Sequence, residues 1–309
     1  MHFTVTGHCC LDLVIRNSMD ENGEDAWADS SPMEARAGGA TANVGRALAS
    51  IGVDVSLYCA LAEDGIGSAT SLLLEQSQFA TLHIERVPAT GSYSLVIDSP
   101  GMDRTFRHHI GANRYFDPAK VEVRETTWLH FGYPSLTPSV LLEDGLPLKS
   151  LFERAQSAGA RTSLDLAAVP SSMRDTHQKW RQFFRNVLPA TDVFAPSWED
   201  LTAVGFDTGQ FTTQNVRRVG GEILAMGGST VLVTAGSRGS ALLSASEPQP
   251  RFSKPTVPGP VTQTNGAGDT FKAYFIYELG RGSTPNEAQD AATERIPDFL
   301  SPHDRSVNG

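Results

Sequence analysis

The chain has 309 residues, 40% of them hydrophobic and 19% charged, enough for a sizeable core in one large domain or two ordinary ones. Its 35 acidic against 25 basic residues leave a net charge of -10. An acidic surface repels phosphate backbones and anionic lipids, which excludes nucleic acid and membrane surfaces as expected partners.

No apolar run approaches the roughly 20 residues of a membrane span. The N-terminal stretch "MHFTVTGHCCLDLVI" has no basic region and no cleavage signature, so no secretory signal is expected. Cys9, Cys10 and Cys59 make an odd count without a CxxC, which reads as small buried side chains in a reducing, cytoplasmic setting.

In chain order, "FTVTGHCCLDLVI" (3–15) predicts one apolar strand with a glycine in it, and Asp12 lies at its end. Residues 16–37 are polar and loop-rich. "TANVGRALASIG" predicts a helix with Ala42, Val44, Ala47 and Leu48 on one face, stopped by Gly52. "VDVSLYCAL" predicts a strand and "GSATSLLLEQSQ" a helix. "GSYSLVIDSPGMDRTFRHHIGAN" predicts two antiparallel strands around "SPGMD", with Tyr93, Leu95 and Ile97 alternating. Strand–helix alternation then resumes with "TTWLHFGYP", "LPLKSLFERAQSAG", "ARTSLDLA", "RQFFRNVLPA", "TDVFAPS", "TTQNVRRVGGEILAMGG" and "STVLVTAG". "GSALLSAS" begins an antiparallel excursion. Two helices close the chain, one after "TNGAGD" and one over "TPNEAQDAATERI". The alternation predicts an α/β fold of three layers, α/β/α, with a mostly parallel central sheet. Residues 1–309 form a single domain, into which 13–37 and 89–112 insert a small β-sheet lid.

The common phosphate, dinucleotide and zinc signatures are absent: no GxxxxGK[ST], no G-x-G-x-x-G after the first strand, no HExxH, no paired CxxC. No G-x-S-x-G supports a hydrolase. Two other stretches carry chemistry. In "NGAGD" (265–269), small residues let backbone N–H groups approach an anion, and the following helix adds its positive end. Asp269 falls in the first turn, where the dipole favours a carboxylate able to take a proton from an attacking hydroxyl. On these residues alone, an ordinary glycine turn remains an equal reading. In "GGATAN" (38–43), the Gly38–Gly39 pair permits close approach of a polyol, and Asn43 offers both donor and acceptor to hydroxyls. A tight helix entry explains it as well.

Taken together, "GHCCLDLV", "GGATANVGRALASIG" with "AEDGIG", "DRTFRHHIGAN", "PSWEDL", "VTAGSRGS" and above all "NGAGDTF" resemble the ribokinase-type, or PfkB, carbohydrate kinases from about 3 to about 292. The resemblance implies an ATP- and magnesium-dependent kinase that phosphorylates a hydroxyl of a small sugar or sugar acid. It makes Asp269 the catalytic base, and Gly266, Ala267 and Gly268 the anion hole. Asp12, Gly38, Gly39, Asn43 and Asn113 take sugar-binding positions. Thr234, Gly236, Gly239, Asn265 and Gly268 lie along ATP, and Glu199 organises magnesium. The same resemblance leaves a nucleoside kinase open.

Several residues depart from the family. Gln263 replaces the usual aspartate, which leaves a monovalent-cation requirement open. Pro196 stands where the family's N-x-x-E has its asparagine, and Ala40 stands where ribokinases proper have lysine. The ending "PDFLSPHDRSVNG" lacks the usual Gly-Ala turn and final helix, and Pro297 and Pro302 argue against a long helix there. These departures keep a sugar-binding homologue with impaired catalysis as an alternative. His108 and His109 read as exposed lid residues, and Trp128, Trp180 and Trp198 as packing. Arg104 and Arg107 either reach a charged sugar or form a solvated strand face. Exposed lid edges leave a homodimer open.

Overall fold

A computed structural model describes residues 1–16, 32–98, 105–167, 169, 177–261 and 263–301. Its elements are, in order, β1 (His2–Gly7), β2 (Cys10–Arg16), β3 (Met33–Gly38), α1 (Gly39–Ala49), β4 (Asp54–Ala62), α2 (Gly65–Glu75) and β5 (Thr81–Val87). There follow β6 (Tyr93–Asp98), β7 (Thr105–His109), β8 (Trp128–Gly132), α3 (Leu146–Ser157), β9 (Arg161–Leu164) and α4 (His177–Val187). The chain continues through β10 (Val193–Phe194), α5 (Trp198–Ala203), α6 (Thr213–Ala225), β11 (Thr230–Thr234), β12 (Ser240–Ser244) and β13 (Arg251–Ser253). It closes with α7 (Ala267–Gly280) and α8 (Pro285–Leu300).

The large sheet has the order β13-β12-β11-β10-β9-β8-β1-β4-β5. It is parallel from β5 to β11 and antiparallel at β12 and β13. Successive strand residues point to opposite faces, and this divides the core in two. Val231 and Val233 pack with α3, α4 and α6 through Leu148, Phe184 and Val216. Leu232, between them, packs on the other face with Val44, Phe271 and Ala288 of α1, α7 and α8. The expected three layers follow from that alternation. Trp128, Trp180 and Trp198 are buried packing residues, as the sequence suggested.

The small sheet has the order β3-β2-β6-β7, with β2 and β6 parallel and the outer pairs antiparallel. The predicted "SPGMD" turn, Arg104, most of the 16–37 loop and the tail beyond Ser301 lie outside the described residues.

Several expectations need correction. Residues 3–15 are two strands in two sheets: Gly7 has φ +117°, and the chain leaves the large sheet there and enters the small one at Cys10. Asp12 therefore sits inside β2, not at the end of a core strand, and the chain joins the small sheet from Cys10. "TLHIERV" forms β5, which the sequence reading passed over despite its alternating Leu82 and Ile84. α8 runs through Pro297 to Leu300. Pro297 lies in its last turn, and the Ser301 N–H closes on the Pro297 carbonyl at 2.9 Å.

His130, on β8, is fully buried, with Nδ1 2.9 Å from Ser163 Oγ. Burial, and secondarily the Lys272 charge, hold its pKa at about 3 instead of 6.5. The unfolded chain therefore takes up this proton below 6.5, while the folded chain does not until about 3. Stability falls as pH drops through that window, by about 1.4 kcal/mol per unit. The acid limb of a melting-temperature profile is expected to be shallower in His130→Gln. A wild-type-minus-mutant difference that does not change between pH 6 and pH 4 would reject this account.

Candidate active site

A cavity of about 290 Å³ opens at the carboxyl ends of the parallel strands. β4 and β5 are added on one side of β1, and β8 to β11 on the other. Ligands of open α/β sheets bind at such a reversal of strand order. His8 follows β1, Tyr133 follows β8, Leu166 follows β9, Ser197 and Asp200 follow β10, and Thr234 ends β11; all line the cavity.

The first turn of α7 supplies its floor. Gly266 caps the helix at φ +83°, and Asp269 is 3% exposed in the first turn. The Ala267 N–H is taken by the Thr264 carbonyl at 3.2 Å, whereas no acceptor among the described residues takes the Gly266 or Gly268 N–H. Of the three anion-hole residues read from the sequence, the two glycines thus offer free donors, and Ala267 does not.

Three hydrogen bonds fix the Asp269 carboxylate. Tyr133 Oη donates to both oxygens, at 2.8 and 2.9 Å, and Asn43 Nδ2 donates to Oδ2 at 2.8 Å. Tyr133 holds a left-handed backbone at φ +63°, uncommon for a bulky side chain and a sign of local constraint. Burial first, and Asp269 next, push its pKa well above the ordinary tyrosine value, so it stays a donor. Asn43 is set in turn by Arg46, whose Nη2 donates to Asn43 Oδ1 at 2.8 Å and whose Nη1 donates to the Ala37 carbonyl at 2.6 Å. One Asn43 donor thus goes to Asp269, and its acceptor goes to Arg46.

One turn beyond Asp269, Lys272 is 4% exposed and donates to both oxygens of the fully buried Asp165 at 2.6 Å. Burial works against the Lys272 charge, but Asp165, Asp269 and Asp200 outweigh it and raise its pKa. Burial pushes Asp165 upward against the pull of Lys272. Two contacts of 2.6 Å to both oxygens mark a charged pair. Asp165, Lys272 and Tyr133 were not picked out in the sequence.

At the lid end, a Cβ on Gly38 would fall 2.1 to 2.3 Å from the Asp12 carboxyl atoms, so that glycine makes room for Asp12 rather than for a ligand. Asp12 is 6% exposed and lies 3.7 Å from Arg36 Nε; Cys10 Sγ donates to its Oδ1 at 3.3 Å. Gly39, His8 and Ser94 complete this end. His8 Nδ1 and Ser94 Oγ are buried without partners among the described residues. Asn113 does not line the cavity: its amide accepts from Cys9 N–H and donates to the Cys9 and Ile110 carbonyls, pinning the passage between the two sheets. His108 and Arg107 are exposed on the lid, and His108 reaches the cavity rim.

The nucleotide and metal positions separate. Thr234 and Asn265 line the cavity, while Gly236 and Gly239 bracket a 3-10 turn outside it. The Glu199 side chain is 64% exposed and bonds Arg238 at 2.5 Å, outside the lining. Its neighbour Asp200 lines the cavity. Asp200 Oδ2 accepts from Ser197 N–H and Oγ–H, at 3.2 and 2.6 Å, in a capping box that starts α5. Ser197 and Asp200 thus form an S-x-x-D pair one position along from Pro196 and Glu199.

The family model for pfkB family carbohydrate kinases matches residues 2–294, and the chain belongs to that family of phosphotransferases. It is 24% identical over 252 residues to the ATP-dependent 6-phosphofructokinase of Thermoanaerobacterium thermosaccharolyticum, covering 80% of this chain and 73% of that protein. Its fold matches ribokinase from Giardia lamblia with a TM-score of 0.79, at 19% identity over 97% of this chain and 94% of that one. Adenosine kinase from Sinorhizobium meliloti matches with a TM-score of 0.74, at 17% identity over 96% and 93%.

The Gly38–Asp12 contact makes a stability prediction. Gly38→Ala alone is expected to destabilise by about 1–3 kcal/mol, the range for overpacking. In the Asp12→Ala background it is expected to cost much less. Urea unfolding of the four proteins measures the coupling, and strictly additive losses would contradict it.

Proposed function

We propose that this chain transfers the γ-phosphate of ATP to a hydroxyl of a small sugar or sugar acid, with Asp269 as general base. The observation that carries this reading is the first turn of α7. A buried carboxylate held by Tyr133 and Asn43 lies beside two glycines whose N–H groups have no acceptor among the described residues. Polar groups without partners among the described residues, His8 Nδ1 and Ser94 Oγ, stand with Asp12 at the far end of the cavity, suited to several hydroxyls of a polyol.

Asp269 takes the acceptor proton, and the N–H groups of Gly266 and Gly268 face the charge on the transferred group. Thr234 and Asn265 border the nucleotide side. Magnesium takes one or two carboxylates and fills its shell with phosphate oxygens and water. Asp200 fits that demand: Oδ2 is held by Ser197, and Oδ1 has no protein partner among the described residues. Magnesium bound there neutralises phosphate charge. Asp200, not Glu199, is the residue we assign to it.

ADP release from MgATP across sugars, sugar acids and nucleosides tests the assignment. Turnover on sugars is expected to fall about 10²- to 10⁴-fold in Asp269→Asn. Near-wild-type turnover in that variant would remove Asp269 as base. Turnover on nucleosides alone would favour the nucleoside-kinase reading, and sugar binding without ADP release the impaired homologue. Asp200→Asn is expected to raise the magnesium concentration needed for half-maximal rate, and Glu199→Gln to leave it unchanged. The reverse pattern would return the metal to Glu199.

A further inference from the structure

Lys272 interrupts a stretch with no other charged residue, "FKAYFIY", and is buried where a charge is costly. Its pairing with Asp165 answers part of that cost. An ammonium has three N–H donors, and Lys272 spends two on Asp165. No acceptor among the described residues takes the third. Nζ lies 3.8 Å from where a Cβ on Gly268 would stand, so the charge sits beside the glycine with the free N–H. Lys272 is also the only lysine or arginine among the described residues that line the cavity.

We propose that Lys272 is a catalytic residue: its ammonium, anchored on Asp165, contacts the phosphoryl group in transit from ATP to the acceptor. The proposal rests on the kinase reading above. In the step, the acceptor O–H proton passes to the Asp269 carboxylate, and the freed oxygen pair forms the new O–P bond. The bond between γ-phosphorus and the β,γ-bridging oxygen breaks, and its electron pair leaves with ADP. Lys272 neither gains nor loses a proton. It supplies fixed positive charge beside Gly268 for the equatorial oxygens of the transferring group and for the bridging oxygen that leaves with ADP. Asp165 is then a positioning residue, which aims the ammonium and leaves one donor for the phosphoryl group.

A purely structural ion pair is the competing explanation. Removing one partner alone would strand a buried charge and unfold the site under either explanation. The deciding protein is therefore Lys272→Met combined with Asp165→Asn, which leaves no charge unpaired and keeps the acceptor for the Leu166 N–H. If its melting curve shows it unfolded, Lys272→Gln with Asp165→Asn replaces it. Calorimetry measures binding of MgADP alone, and of MgADP with aluminium fluoride and the acceptor found in the turnover panel.

The transition-state mimic is expected to bind about 100-fold more weakly to the double variant, and MgADP within about 3-fold of wild type. The turnover number is expected to fall by a similar factor with the acceptor KM unchanged. A folded double variant that binds the mimic as wild type does would overturn the role of Lys272 and leave the kinase reading standing. Wild-type protein that binds no mimic at all would overturn both.

Discussion

Asp269 keeps a carboxylate at 3% exposure, and an ion so placed is tolerated only where fixed donors replace water. Much of the surrounding architecture serves that need. Tyr133 reaches it from the end of β8 through a left-handed turn, and Asn43 reaches it from α1. Asn43 can point one way only, because Arg46 claims its oxygen. Arg46 is itself tied to the Ala37 carbonyl at the end of β3. Asp269 is therefore positioned by α1, β8 and the small sheet together. A shift in any of them would leave a buried charge short of a donor.

The charges near the cavity do not cancel. Asp12, Asp165, Asp200 and Asp269 face Arg36, Arg46 and Lys272, four negative groups against three positive. Arg36 and Arg46 line a neighbouring cavity together with Asn43 and Gly266, whereas Lys272 stands beside Gly268.

How much of this is legible in the sequence depends on the range of each signal. "NGAGD" and "GGATAN" are local, because a glycine cradle and the helix it opens are contiguous. The layered fold is legible because strand and helix periods repeat. Residues whose meaning lies across the sheet were harder to see. Asp165 and Lys272 are 107 positions apart, and Tyr133 and Asp269 are 136 apart. Two faint signals did exist. A lone lysine in an apolar helix requires a buried partner. The S-x-x-D spacing of Ser197 and Asp200 is a capping box, which sets the start of α5 and places Asp200, not Glu199, in the cavity lining. Asp12 was misplaced because apolar character runs unbroken through Gly7, and hydrophobicity alone cannot tell one strand from two.

The break at Gly7 has the widest structural effect. A Cβ there would lie 2.2 Å from the Gly132 carbonyl oxygen, and the His8 N–H bonds that same carbonyl at 3.1 Å. β1 and β8 are thereby locked together at the point where the chain leaves one sheet for the other. Asn113 clamps Cys9, the next residue but one, through both its N–H and its carbonyl. Gly132 is followed at once by Tyr133, which holds the base. The corner that starts the small sheet and the turn that aims the donor at Asp269 therefore share one carbonyl. Motion of the small sheet cannot pass through this corner without straining the Gly7–Gly132 contact.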